Sequence, residues 1–346
     1  MRAQRRREFI SRVAATSLAV GASRAAAAPA AGQPATAQSG IPRRKFGRHD
    51  DRISALGCGG HHLGNAASLA VATALVHEAI DGGITFFDNA WEYNNHRSEE
   101  WLGSALRGRR DRVFLMTKVC THGRDAAIGM QMLEESLRRL QTDHLDLWQI
   151  HAITYDNDPD LAYRKNGIIE ALDLAKRQGK VRYVGFSGHK DPRLHKRMLD
   201  LGYPFDSVQF PINPFDAQFR SFQALVLPDA VRRGVAVLGM KPFSGDGAPF
   251  HSGDVKLAPR EALRFAMSVP GVTTTITGME SLDVLRQNLA IAQNFQPMSA
   301  AEMAQTVAAV APVSGDGHLE LYKTSIEYDN IVTRQAHEMP LAGAHA

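Results

Sequence analysis

Three apolar runs decide the fold of this chain: ITFFDNA (84–90), VFLMTKV (113–119) and LDLWQIH (145–151). Each run is apolar through most of its length rather than alternating, which is typical of strands that are covered on both faces. A loop and then a helical pattern follow each run. Repeated strand, loop and helix units of this kind predict an α/β protein with a parallel sheet.

Further runs complete a set of eight strands. A first strand is expected to end near Gly57, after a short hairpin in RRKFGRHDDRIS (43–54). The later strand candidates are VRYVGFS (181–187), SVQFPIN (207–213), VAVLGMKPF (235–243) and TTTITGM (273–279). Helical patterns lie at 68–81, 97–107, 127–140, 166–178, 193–200, 221–233, 259–268 and 281–293. Eight strand and helix units predict a (β/α)8 TIM barrel over residues 41–312, with a C-terminal extension at 313–346. An open doubly wound sheet is the alternative, but no G-x-G-x-x-G motif follows the first strand.

Residues 1–40 have the pattern of an export signal followed by a linker. A basic start that includes Arg6 and Arg7 precedes a mildly apolar stretch, VAATSLAVGA (13–22), and then small residues at A-x-A spacing. The sequence Arg-Arg-Glu-Phe-Ile at 6–10 resembles a twin-arginine signal. It predicts a periplasmic protein exported by the twin-arginine machinery. The alternative interpretation is a basic disordered tail.

Removal of this signal changes the charge of the protein. Residues 1–28 contain six arginines and one glutamate, a net charge of +5, whereas the whole chain carries +4, so the remainder carries about −1. Nucleic-acid binding needs a basic surface and is therefore not expected. No apolar run after residue 40 is long enough to cross a bilayer, so stable membrane insertion is not expected either. Cys58 and Cys120 are the two cysteines, and we expect buried, unpaired thiols.

Four reactive side chains stand at or just past the ends of the three opening strands. They are Asp88, Tyr93, Lys118 and His151. Strand ends of a parallel barrel converge on one rim, so these side chains are expected to meet there. An ammonium lowers the pKa of a neighbouring phenol, and a carboxylate can hold that ammonium in place. The set suits proton transfer to a carbonyl oxygen by Tyr93, with His151 orienting the substrate.

At these positions the chain resembles the aldo/keto reductase family. The segment GGITFFDNAWEY (82–93) matches the family pattern, with Asn89 in place of a threonine, and RSEEWLG (97–103) follows it. The lysine and histidine strands match as well, and the resemblance extends from about Ile41 to Asn294. It implies an NAD(P)-dependent oxidoreductase that interconverts a small aldehyde or ketone, such as a sugar derivative, with its alcohol or polyol.

The resemblance also implies a site for the nicotinamide ring. Ser187 and Gln209 match residues that contact the carboxamide, but the asparagine that usually follows the serine is Gly188. Met240 stands where the family usually has a tyrosine stacked on the ring. A thioether can pack on a ring face as well.

A second segment resembles the family's site for the adenosine phosphate. Gly278, Met279, Ser281 and Asn288 fall at its contact positions. NADP is the expected cofactor, with NAD as the alternative, because Glu280 stands near the usual position of a basic residue for the 2′-phosphate.

Histidines on the loops are not explained by the family pattern. They are His61, His62, His122 and His189. A polar pocket for a hydroxylated substrate is favoured over a metal site, because their spacing fits no known metal motif. A metal-dependent lyase or isomerase and a non-catalytic cofactor-binding barrel are kept as alternative functions.

Overall fold

The apolar runs form the strands of two sheets in the computed structural model. In chain order the strands are β1 Arg43–Lys45, β2 Arg52–Ser54, β3 Leu56–Gly59, β4 Phe86–Asp88, β5 Phe114–Val119, β6 Leu145–Ile150, β7 Val181–Ser187, β8 Ser207–Pro211, β9 Ala236–Met240 and β10 Val272–Thr277. The first two strands form an antiparallel hairpin. The other eight form a closed parallel barrel in the order β10-β3-β4-β5-β6-β7-β8-β9. The predicted (β/α)8 barrel with a short preceding hairpin is confirmed.

The structure describes residues 40–120, 122–245, 250, 255, 257–329 and 331–339. The predicted export signal and linker lie outside these residues, except for Gly40, as does the end of the predicted tail. No helix within the described ranges is long and apolar enough to cross a membrane.

Helices follow the barrel strands and cover their outer faces. Their bounds are Gly60–Leu63, Leu69–Asp81, Arg97–Ala105, Ala126–Leu140, Asp158–Tyr163, Ile168–Arg177, Pro192–Asp200, Phe222–Leu225, Leu227–Arg232, Pro259–Ser268, Leu282–Gln293, Ala300–Val310, Leu321–Thr324 and Ile331–Ala336. Short 3-10 turns lie at Arg110–Arg112, Ala311–Val313 and Ile326–Tyr328. Polar caps start several of the helices. Ser68 accepts from the Val71 amide, and Asp125 accepts from the amides of Ala127 and Ile128.

The prediction of one continuous helix at 221–233 is wrong. The pattern at 221–233 is divided into two helices that meet at Val226. Pro228 lies in the first turn of the second helix, where its missing amide hydrogen is tolerated, whereas the interior of one long helix would have lost a hydrogen bond there. The helices at 158–163, 300–310, 321–324 and 331–336 were not predicted from the sequence.

The hairpin closes the end of the barrel where the strands begin. Phe46, between β1 and β2, is fully buried and packs within 5.0 Å of the Phe114 ring and 5.1 Å of the Tyr183 ring, measured between centroids. Above it, apolar side chains of several strands, such as Met116 of β5 and Leu147 of β6, fill the barrel interior. Only the opposite end, where the strands finish, is left for a functional site.

Candidate active site at the carboxyl ends of the strands

The strand ends bring Lys118, Asp88 and Tyr93 into contact. Asp88 is the last residue of β4, Lys118 lies near the end of β5, and Tyr93 is in the turn after β4. Lys118 Nζ forms an ion pair with Asp88 Oδ1, donates to the Asn89 carbonyl at 2.8 Å and lies 3.3 Å from the Tyr93 hydroxyl. The lysine and aspartate are almost completely buried, at 1% and 4% exposure. The ammonium is therefore held against the phenol by a buried carboxylate.

The electrostatics of Tyr93 differ from the expectation. Burial raises the pKa of the phenol well above its ordinary value, and the carboxylates of Asp88 and Glu92 raise it further. Burial likewise lowers the pKa of Lys118, while Asp88 raises it. The net pKa is therefore raised rather than lowered as expected from Lys118 alone, because burial and the two carboxylates outweigh the ammonium. Tyr93 is accordingly a protonated phenol at neutral pH.

His151 reaches the same place from the loop after β6. Its ring lies 5.5 Å from the Tyr93 ring, with an edge-to-face angle of 77°. The ring of His61 also lies close to Tyr93, at 5.3 Å between centroids. The structure thus brings together all four residues that the sequence predicted for one rim.

The structure also shows a residue that the sequence reasoning missed. Glu92 Oε1 lies 2.5 Å from His151 Nδ1, and Glu92 Oε2 accepts from Cys120 Sγ at 2.7 Å. Cys120 Sγ is in turn 3.0 Å from His122 Nδ1. Glu92 directly precedes Tyr93 in the sequence, which could have drawn attention to it. Its contact with His151, however, depends on how separate loops pack together. Cys58 and Cys120 are both buried, and neither forms a disulfide bond within the described part of the chain.

Of the residues expected to contact a nicotinamide ring, Ser187, Gln209 and Met240 lie on adjacent strands. Ser187 pairs with Gln209 across β7 and β8. Gln209 Nε2 lies 3.6 Å from Met240 Sδ, and its Oε1 is buried with no hydrogen-bond partner among the described residues. A buried carbonyl oxygen of this kind is costly unless something donates to it. The unpaired Gln209 carbonyl oxygen therefore fits a ring that carries an amide N–H donor, such as nicotinamide.

The glycine at position 188 has a structural reason. A Cβ atom on Gly188 would lie 2.5 Å from the Ile153 carbonyl oxygen and 2.6 Å from His195 Cε1. The asparagine of the family pattern cannot be placed on this backbone. The His195 ring, which is fully buried, fills that space instead.

The residues expected at the adenosine phosphate surround the start of the helix Leu282–Gln293. Ser281 caps this helix by accepting from the Val284 amide, and the buried Asn288 lies 3.5 Å from the Gly278 carbonyl oxygen. A Cβ atom on Gly278 would lie 2.4 Å from the His62 ring, so this histidine packs directly on the segment. Met279 is buried, whereas Glu280 is exposed. Backbone amides at the start of a helix can bind a phosphate.

The loop histidines do not converge on one point. His62 packs on Gly278 and His122 on Cys120, while His189 Nδ1 lies 3.2 Å from the carbonyl oxygen of Tyr322. Burial, followed by the charge of Lys241, keeps the pKa of His189 well below its usual value. Within the part of the chain that the structure describes, no group of three or more His, Cys, Asp and Glu side chains is placed to hold a metal ion.

Comparisons with known proteins agree with this geometry. The model of the aldo/keto reductase family matches residues 55–250, more than half of the chain. The uncharacterized oxidoreductase YqkF of Bacillus subtilis is 26% identical over 284 residues, which cover 71% of this chain and 90% of YqkF. The 6-dehydroglucose reductase of Novosphingobium aromaticivorans is 28% identical over 67% of this chain and 79% of its own length. An aldo-keto reductase from Klebsiella pneumoniae, solved in complex with NADPH, is 25% identical with a TM-score of 0.65, over 78% of this chain and 95% of that one. The chain belongs to the aldo/keto reductase family.

Proposed function

We propose that this protein interconverts a small aldehyde or ketone of the sugar-derivative class with its alcohol, using a nicotinamide cofactor and Tyr93 as general acid and base. The observation that carries the proposal is the buried contact of Lys118 Nζ with both Asp88 and the Tyr93 hydroxyl. This contact joins a proton donor, a cation and a fixed counter-ion at the open end of the barrel.

The geometry assigns a step to each side chain. Because its pKa is raised, Tyr93 is protonated when a carbonyl substrate arrives and can donate that proton to the substrate oxygen. Lys118, 3.3 Å away, stabilises the phenolate that remains, and Asp88 keeps the ammonium in place. His151 lies beside the phenol and orients the same oxygen. In the oxidation direction the phenolate accepts the proton of the alcohol.

A bound nicotinamide cofactor supplies the hydride, since no side chain can carry one. Gln209 and Ser187 would hold the carboxamide, and Met240 would pack beside the ring. The segment Gly278, Met279, Ser281 and Asn288 would hold the adenosine phosphate end. NADP is the proposed cofactor, supported by the NADPH complex of the Klebsiella pneumoniae relative. The carboxylate of Glu280 keeps NAD as the alternative.

The substrate class rests on the polar character of the rim. His61 and His151 both lie within 5.5 Å of the Tyr93 ring, and imidazole nitrogens can bind hydroxyl groups. The relative from Novosphingobium aromaticivorans is named for reduction of a dehydroglucose. Carbonyl compounds that carry several hydroxyl groups are therefore the proposed substrates.

We propose further that the protein acts in the periplasm after export through the twin-arginine machinery. The support is the pattern of residues 1–40, including Arg6 and Arg7. The twin-arginine route carries folded proteins, so the cofactor can be exported together with the protein. Recycling by a second substrate in the same pocket would then be required.

Cofactor binding and turnover test the proposed function. Purified mature protein is titrated with NADPH and NADH while tryptophan fluorescence is followed, and turnover is then screened with hydroxylated aldehydes and ketones. Saturable quenching together with carbonyl-dependent oxidation of one cofactor is expected. Absence of binding by both cofactors would contradict the proposal. Binding without turnover would favour the non-catalytic barrel, and a stoichiometric metal required for activity would favour the lyase or isomerase.

A further inference from the structure

We propose that Glu92 is a positioning residue that fixes His151, so that the Nε2 nitrogen of its ring donates to the substrate oxygen. The inference rests on the proposed function, because it concerns how the site holds a carbonyl or alcohol. It adds a residue to the four predicted from the sequence.

The carboxylate of Glu92 is anchored at both oxygens. Oε1 lies 2.5 Å from His151 Nδ1, and Oε2 accepts from Cys120 Sγ at 2.7 Å. Both ends of the carboxylate-imidazole contact are largely shielded, with 19% of the Glu92 and 14% of the His151 side chain exposed. Since Glu92, Cys120 and His151 come from three successive strand-to-helix loops, the contact also links these loops. The ring therefore has one nitrogen committed to Glu92.

The contact of Nδ1 with Glu92 limits the hydrogen bonds that Nε2 can form. A neutral imidazole with its proton on Nδ1 offers only a lone pair at Nε2, whereas a ring with protons on both nitrogens donates from Nε2. The contact of Nδ1 with Glu92 Oε1 holds the ring in one orientation and leaves Nε2 for the substrate oxygen. Donation from Nε2 then stabilises the negative charge that develops on the carbonyl oxygen.

The other groups that face His151 do not supply this charge. His122 follows β5 and His189 follows β7, and both are imidazoles rather than anions. Lys118 is a cation beside the Tyr93 hydroxyl, and the Asp88 carboxylate is paired with it. Glu92 is thus the carboxylate placed against the ring.

Substitution of Glu92 by glutamine tests the proposal, because the amide keeps the shape and removes the charge. For Glu92→Gln we expect kcat for carbonyl reduction to fall roughly 10- to 100-fold, with the KM for the carbonyl and the Kd for the cofactor changed less than about 3-fold. Glu92→Asp, which keeps the carboxylate, should recover most of the activity.

Two further measurements separate positioning from a purely structural role. Glu100→Gln is the matched control, since Glu100 is an exposed carboxylate of the same strand-to-helix unit and should leave kcat unchanged. The hydrogen-bonded imidazole N–H proton of His151, identified by its absence in His151→Gln, should appear in the proton NMR spectrum of the protein without substrate and be lost in Glu92→Ala.

The inference is overturned if Glu92→Gln has the kcat of the unsubstituted protein. It is overturned as well if the loss of kcat is matched by an equal loss of cofactor binding, or if Glu92→Asp recovers none of the activity. The NMR signal does not depend on turnover, so it still tests the contact if no carbonyl substrate is reduced. In that case the proposed function fails, and the inference stands or falls by the resonance of His151.

Discussion

At the scale of single residues, Tyr93 carries the proposed proton transfer. Tyr93→Phe removes the only hydroxyl that contacts Lys118 among the described residues and leaves the ring in place. We expect carbonyl reduction to fall by roughly 10²- to 10⁴-fold, the usual contribution of a general acid, with the Kd of the cofactor unchanged. Tyr183→Phe is the matched control, because its hydroxyl donates to Asp51 at the opposite end of the barrel. Activity of Tyr93→Phe equal to that of the control would show that the phenol is not used.

Glu92 also makes the stability of the fold depend on pH. Burial would raise the pKa of its carboxyl, but the charge of His151 and hydrogen bonds from His151 and Cys120 hold the pKa at about 2, below the ordinary 4.5. A depressed carboxyl pKa stabilises the fold above pH 4.5, and this stabilisation is lost as the pH falls toward 2. Glu92→Gln should lower the free energy of unfolding by roughly 1–3 kcal/mol at pH 7 and by less than half of that at pH 3.

Urea denaturation at the two pH values measures this difference. Glu100→Gln, on an exposed helix surface, should change the free energy of unfolding by less than about 0.5 kcal/mol at either pH. A loss in Glu92→Gln that is the same at pH 7 and pH 3 would contradict the assigned pKa.

At the scale of elements, the segment after the barrel is fixed by a buried ion cluster. Lys323, in the helix Leu321–Thr324, is fully buried and contacts Asp216 at 2.8 Å and Glu320 at 2.9 Å. It also donates to the Phe219 carbonyl at 2.8 Å. Next to it, the Tyr322 hydroxyl accepts from Asn213 at 3.0 Å. The predicted tail is therefore anchored in the loop that follows β8.

Removal of this lysine should release the segment. Lys323→Met leaves two buried carboxylates without their cation, and breaking a buried pair in this way costs about 3–5 kcal/mol. Urea denaturation should show that loss, and limited proteolysis should cut the chain after residue 313 faster. Lys45→Met is the control, since the ion pair of Lys45 with Asp50 is exposed and its loss should leave the stability nearly unchanged. Equal effects of the two substitutions would show that the cluster is not an anchor.

At the scale of the whole molecule, the predicted export can be tested directly. Substitution of both Arg6 and Arg7 by lysine should prevent accumulation of the protein in the periplasm of a Gram-negative host and leave it in the cytoplasm. Cell fractionation with immunodetection measures this, and Arg2→Lys is the matched control that should be exported normally. Cytoplasmic retention of the unsubstituted protein would contradict the signal and favour the basic tail.

The barrel could be read from the sequence because its information is local. Strands that are covered on both faces are apolar throughout, as in LDLWQIH (145–151), and glycines such as Gly179 and Gly234, with φ of 72° and 68°, mark where helices give way to strands. The helices after residue 300 escaped prediction. Their stability comes from packing on the barrel and from buried ion pairs such as that of Lys323. These long-range contacts leave no periodic pattern in the sequence.

The sequence by itself therefore determined which side chains stand at the strand ends, since a parallel barrel places every strand end on one rim. Tertiary structure decided what those side chains do to one another. Burial reversed the expected pKa shift of Tyr93, the loops brought Glu92 against His151, and the His195 ring left space only for glycine at position 188. Each of these three effects depends on distances between residues far apart in the chain and on the exclusion of water. Neither the distances nor the exclusion of water can be read from a single sequence position.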